Sequence, residues 1–312
     1  MQHKRLGKSG LKVSAIGLGG NTFGRHADAE QTARCIHTAL DLGITFFDTA
    51  DVYNAGVSET YVGQALAGRR DRAIIASKVA MTMGEGPNDR GLSRAHILDG
   101  VHASLKRLGT EYIDLLQVHQ WDAETPLEET MRALDDLVRD GKVRYIGCSN
   151  FTAWQLVWSL WTSAAHDLTS FVSVQPRYSL VDRSIEAELL PACREFGIGI
   201  IPYSPLAGGV LTGKYEAGVE PPPGTRAHGN ERFAGQHGTE RNLAIARRAQ
   251  EWAESHGHTV GELAIAWLVA HPEVSSVIAG VTKPEQVEAN ARAGDWLLTA
   301  DEVAEVAALA GA

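Results

Sequence analysis

Short apolar runs alternate with longer amphipathic segments along the whole chain, and several of the runs stop at a polar residue. The run 44–47 ends at Asp48, the run 73–77 at Lys78 and the run 113–118 at His119. Runs of this length between turn signals predict buried strands. The same signal marks strands at 14–18, 143–147, 171–174, 198–201 and 274–278. Helices are expected between them, at 28–42, 58–68, 93–109, 126–141, 153–165 and 184–196, then at 239–256, 259–270, from Lys283, and at 300–309. Asp28 and Ser93 are cap residues, and Gly43, Gly109, Gly141 and Gly197 are helix ends. Residues 3–14 read as a hairpin around a Gly-Lys-Ser-Gly turn. Strand and helix alternate eight times without a linker. This predicts one domain over 1–312, a (β/α)8 TIM barrel with an N-terminal β-hairpin plugging its floor and extra helices at the end.

A closed parallel barrel carries the ends of its strands to one face. Asp48, Lys78 and His119 then converge, and Tyr53 follows on the loop after Asp48. A buried carboxylate needs a partner, and Lys78 can supply it. A phenol has a pKa of about 10, and an ammonium beside it favours the phenolate and lowers that value. The set suits reduction of a carbonyl, where charge collects on oxygen and a proton must be given. Tyr53 is the expected general acid/base, Lys78 its tuner, Asp48 the anchor of Lys78, and His119 the group that orients the carbonyl oxygen.

A net charge of −9 speaks against nucleic acid and acidic membrane surfaces as partners. The apolar runs are strand-sized, so no membrane span is expected. Cys35, Cys148 and Cys193 are too widely spaced for a metal site or a disulfide framework, which points to a reducing cytoplasm. No metal is expected. Gly17-Leu18-Gly19 lacks the third glycine and the strand–turn–helix setting of a dinucleotide fingerprint. Trp154, Trp158 and Trp161 follow helical spacing and are expected to form a packed face. Trp121, with Phe23 and Val52, is expected to wall a substrate pocket. The segment 207–242, long and rich in Gly, Pro and charge, is expected to act as a lid. The sequence does not speak to oligomeric state.

The segment Phe47-Asp48-Thr49-Ala50-Asp51-Val52-Tyr53, the pair Ser77-Lys78 and the segment Ile146-Gly147-Cys148-Ser149-Asn150-Phe151 together resemble motifs of the aldo-keto reductases, and the likeness covers nearly the whole chain. It resembles the bacterial branch related to potassium-channel β subunits, in which the position of His119 commonly differs. The resemblance implies a metal-free carbonyl reductase acting on a small-molecule aldehyde or ketone with NADPH/NADP+, NADH being the lesser alternative. A second possibility is an NADPH-binding regulatory subunit with little turnover. It further implies that Gly20, Asn21 and Thr22 border the cofactor. Ser149, Asn150 and Gln175 would meet the nicotinamide amide, and Tyr203 would stack on its ring. Ser204, Leu206, Gly208 and Lys214 would hold the pyrophosphate. Gly280, Thr282, Lys283, Gln286 and Asn290 would hold the adenosine phosphate. Many members carry Arg where Gln286 stands and an acid where Ala289 stands.

Overall fold

The computed structural model describes residues 1–311 apart from 217, 224, 226, 229, 231, 232, 234 and 236. The chain opens with β1 (His3–Arg5) and β2 (Lys12–Ser14), which pair antiparallel. Eight parallel strands follow: β3 (Ile16–Gly19), β4 (Phe46–Asp48), β5 (Ile74–Val79), β6 (Ile113–Val118), β7 (Val143–Ser149), β8 (Ser173–Gln175), β9 (Gly199–Ile200) and β10 (Val277–Gly280). They neighbour one another in chain order, and β10 lies beside β3. Parallel bridges from Ile200 to Val274 and from Tyr203 to Ile278 bring the last strand onto β9 and close the ring. This is the expected (β/α)8 barrel.

Six helices intervene: α1 (Ala29–Asp41), α2 (Val57–Ala65), α3 (Arg94–Leu108), α4 (Leu127–Arg139), α5 (Ala153–Ala165) and α6 (Leu189–Phe196). Four more, α7 (Glu240–Ser255), α8 (Val260–Ala270), α9 (Pro284–Asp295) and α10 (Ala300–Leu309), complete the described helices. Asp28 and Ser93 cap α1 and α3 through Gln31 N and His96 N. The helix expected at 184–196 is broken into a 3-10 turn, Ser184–Glu186, and α6. Pro191 explains the break. A proline fits only the first turn of a helix, so no continuous helix can start at Ser184.

Two cores form. One lies between the strands and the helices. The other fills the barrel interior, where Leu6 and Val13 of the hairpin meet Phe46, Ala76, Leu115, Ile201 and Ile278. The hairpin thus closes the floor with its own apolar side chains. Lys4 fastens it, donating from Nζ to the carbonyls of Val269, His271 and Val274 at 2.6, 3.1 and 2.8 Å. Gly7, at φ 56°, sits where an added Cβ would come within 2.5 Å of the Val172 carbonyl oxygen. That close approach leaves room for no side chain. No described helix is long and apolar enough to cross a membrane.

Candidate active site

Three strand ends and one turn build the site. Asp48 ends β4, Lys78 lies near the end of β5, and His119 follows β6 directly. Tyr53 comes from the turn after β4. Lys78 Nζ donates to Asp48 Oδ2 at 2.7 Å, to the Thr49 carbonyl at 2.9 Å and to Tyr53 Oη at 3.2 Å. All three donor hydrogens of the ammonium are therefore used. The Tyr53 and His119 rings meet edge to face at 5.8 Å. The four residues expected from the sequence thus stand together.

Asp48 is held from its other side as well. Its Oδ1 accepts from Gln175 Nε2 at 2.7 Å and from Gln117 Nε2 at 3.2 Å. Gln117 was not singled out from the sequence, although a glutamine inside the apolar strand β6 is the signal that would find it. Gln175, expected to reach the nicotinamide amide, spends its own amide nitrogen on Asp48. Ser149 Oγ donates to the Gln175 carbonyl at 2.8 Å. Asn150, at φ 57°, donates from Nδ2 to the His119 carbonyl and accepts at Oδ1 from the Tyr203 hydroxyl, 2.9 Å away. Strands β6, β7, β8 and the loop after β9 are tied into one rim.

The electrostatics follow from burial. Burial alone would lower the pKa of Lys78, but the attraction and hydrogen bonds of Asp48 and Tyr53 together raise it, so it stays an ammonium. Burial pushes His119 down to about 3, and Lys78 adds to that, so the imidazole is neutral. Its buried Nδ1 has no hydrogen-bond partner among the described residues. Against the expectation from the sequence, the pKa of Tyr53 lies above its ordinary value. Desolvation of the phenol is the larger effect; Lys78 pulls the other way, as expected, but does not win.

A cleft of about 750 Å³ opens over these residues. Asp48, Tyr53 and His119 lie on its wall, with Asn21, Thr22, Ser149, Asn150, Gln175, Tyr203, Ser204, Leu206, Gly208, Lys214, Gly280, Thr282 and Gln286. Lys78 lies beneath the wall, its side chain fully buried. Of the remaining residues expected at the cofactor, Gly20 is buried under the wall, Lys283 is exposed at the start of α9, and Asn290 is buried within α9. Gln286 Oε1 accepts from Thr282 N at 2.7 Å, which pins the loop between β10 and α9. The cleft also uses His26, Gly209, Thr212 and Thr225, which no sequence motif marked. Lys214 and Thr225 belong to the expected lid; residues 217, 224, 226, 229, 231, 232, 234 and 236 of that segment lie outside the described residues.

Of the residues expected to wall a substrate pocket, Phe23 offers no surface to a ligand, while Val52 and Trp121 are half-buried. Phe23 is 1% exposed and packed in the core, and its amide donates to the Gly20 carbonyl where the 3-10 turn Gly20–Thr22 ends. Val52 is off the cleft wall. Trp121 packs against Phe151, Trp154 and Trp158 at 5.4, 5.5 and 5.6 Å. Trp154, Trp158 and Trp161 are not a packed face either: they are 57%, 45% and 65% exposed. The inward side of α5 is filled instead by Leu156, Ser159, Thr162 and Ser163, so the tryptophan stripe points out. Among the described residues no three His, Cys, Asp or Glu side chains are grouped to hold a metal ion.

Residues 15–310 match the model of the aldo/keto reductase family. A probable voltage-gated potassium channel subunit beta from Arabidopsis thaliana is 40% identical over 95% of this chain and 92% of its own length. An L-glyceraldehyde 3-phosphate reductase of Escherichia coli O157:H7 is 36% identical over 98% of this chain and 91% of its own. A versiconal hemiacetal acetate reductase of Aspergillus parasiticus is 35% identical over 97% of this chain and 95% of its own.

Proposed function

The chain belongs to the aldo/keto reductase family, and from that premise we propose that it reduces aldehydes or ketones to alcohols with NADPH, Tyr53 giving the proton. The observation that carries this is the phenol of Tyr53 on the cleft wall, 3.2 Å from a buried ammonium and edge to face with a neutral imidazole.

The cleft fits a dinucleotide. Its volume is within the range of cofactor-sized sites. Ser204, Ala207, Gly208 and Gly209 all have positive φ, which turns the loop after β9 into an irregular cradle. At Gly208 an added Cβ would come within 2.9 Å of the Phe233 ring, so the chain there runs without a side chain. Lys214, beside Gly209, supplies a cation for phosphate. The Tyr203 ring is held by its bond to Asn150 and offers a flat surface for stacking. Thr282 with Lys283 would meet a 2′-phosphate. When bound, the reduced nicotinamide supplies the hydride.

The residues of the chain do the rest. His119, neutral, donates to the carbonyl oxygen and orients it. Tyr53 keeps its proton at Oη through neutral pH and gives it to the developing alkoxide, a far stronger base than a phenolate. Lys78 stabilises the phenolate left behind. Asp48 keeps Lys78 charged and in place, and the two glutamines keep Asp48 in place.

The test is NADPH consumption with a panel of aldehydes and ketones. Tyr53→Phe should lower kcat by about 10²–10⁴-fold with the circular dichroism spectrum unchanged. Equal turnover in both proteins would refute the role of Tyr53. The relatives named as channel subunits favour a second reading, a cofactor-binding regulatory protein. Tight NADPH binding without turnover of any carbonyl would support that reading instead.

A further inference from the structure

The loop between Asp48 and Tyr53 holds a buried acid that the chemistry above does not use. Asp51 is 1% exposed, three residues past Asp48. Its backbone N–H donates to the carbonyl of Lys78 at 3.2 Å, so the loop is clasped to the residue whose side chain holds Tyr53. Its Oδ1 accepts from Val52 N at 2.6 Å. Its Oδ2 is buried and has no hydrogen-bond partner among the described residues. Such an atom carries the full cost of lost hydration. Glu59, from α2, is a second acid nearby, wholly buried and bonded to Ser77 Oγ and Arg107 Nε. The charged groups acting on Asp51 are therefore Glu59 from α2, Arg107 from α3 and Lys78 from β5.

We propose that Asp51, clasped by its backbone to Lys78 and left with a buried, unpartnered carboxyl oxygen, is a positioning residue for the ammonium: a charge on Asp51 draws on the charge of Lys78 and weakens Tyr53 as a proton donor. The proposal rests on the reductase reading and adds the regulation of that site by pH. A negative charge on Asp51 acts on Lys78 through space and offsets part of the charge that would stabilise the Tyr53 phenolate. The phenol then becomes a poorer acid, and reduction slows. Burial first, and Glu59 second, push Asp51 up to about 7, while Val52 N–H, Arg107 and Lys78 oppose them. The change therefore falls within the physiological range.

Asp51→Asn keeps the size and removes the titration. Two measurements decide. In the folded protein Asp51 keeps its proton at pH values where the unfolded chain, with an aspartate pKa of about 4, has lost it. Wild-type stability in urea should thus fall, relative to Asp51→Asn, as pH rises from about 4 to 7. In the second, wild-type kcat for carbonyl reduction should fall about threefold between pH 6 and 8, and Asp51→Asn should stay level. Both results together support the proposal. Equal stability slopes overturn it, whether or not any carbonyl is turned over. A surviving inflection in Asp51→Asn, or an equal loss of rate at every pH, overturns it too. A protein that shows the slope difference but reduces nothing sinks the reductase reading itself, and the coupling to Tyr53 falls with it.

Discussion

Lys78→Met separates what the buried ion pair does for stability from what it does for chemistry. Methionine has about the length of lysine, so no large cavity opens. What is lost is the ammonium, whose side chain is fully buried against a carboxylate that is 3% exposed, 2.7 Å away. Removing one partner of such a pair typically costs about 3–5 kcal/mol, because the other charge is left buried. Here Asp48 keeps the bonds from Gln117 and Gln175. Hydrogen bonds to a charged group are worth about 1.5–3 kcal/mol each, so the loss should sit near the lower end, about 3 kcal/mol. Adding Asp48→Asn removes the stranded charge while leaving an oxygen for the glutamines. The double variant should recover about 2 kcal/mol, measured by urea unfolding at pH 7.5. It should not recover turnover, since the cation beside Tyr53 is still missing. If the two substitutions instead lower stability additively, Asp48 and Lys78 are not one electrostatic unit. If Lys78→Met reduces carbonyls at the wild-type rate, the role given to the ammonium is wrong.

Two further outcomes follow from the same structure. Because the pKa of His119 is pushed down to about 3 in the folded chain and returns to about 6.5 on unfolding, the unfolded state binds the extra proton between these values. Stability should therefore fall as pH drops through that window, and His119→Gln should flatten the fall by a few kcal/mol in urea titrations at pH 4 and 7. Gly63 of α2 lies so close to α3 that an added Cβ would stand 2.3 Å from the Leu108 carbonyl oxygen. Gly63→Ala should cost about 2 kcal/mol or more and lower Tm by several degrees; an unchanged Tm would mean that the two helices separate freely.

The barrel was legible because its signals are local. Apolar runs of strand length ending in polar residues are visible without any knowledge of contacts. Asp28 and Ser93 cap as cap residues should. The meeting of Asp48, Tyr53, Lys78 and His119 was legible for a topological reason: in a parallel barrel, residues at strand ends meet whatever their separation in sequence. Two of the failures are questions of direction. Spacing says that Trp154, Trp158 and Trp161 share a face of α5, but not which face, and the small residues Ser159 and Ser163 occupy the inward one. Phe23 follows β3 at the strand-end face, yet its ring packs into the core, a direction that its place in the sequence does not reveal. Ser184 looks like a helix start until Pro191 is given its place in the first turn of α6. Gln117 was passed over because an uncharged amide in a buried strand reads as filler until the acid it serves is seen.

The reversal at Tyr53 has a chemical consequence. A nearby lysine suggests a phenol half-way to phenolate at neutral pH, ready to serve in either direction. Burial outweighs the lysine, so at neutral pH Tyr53 holds its proton. That suits a donor, because the acceptor in carbonyl reduction is an alkoxide, and even a raised phenol is far more acidic than the alcohol it makes. It handicaps a base, because alcohol oxidation must first find the phenolate. The pH dependence of oxidation should therefore climb steadily through neutrality and on into the alkaline range, while reduction should show no loss there from ionisation of Tyr53 itself, the fall assigned to Asp51 being removed in Asp51→Asn. An oxidation rate already level at pH 7, measured with saturating NADP+ and alcohol, would mean that Lys78 outweighs burial after all, and that the phenol is ionised where desolvation says it is not.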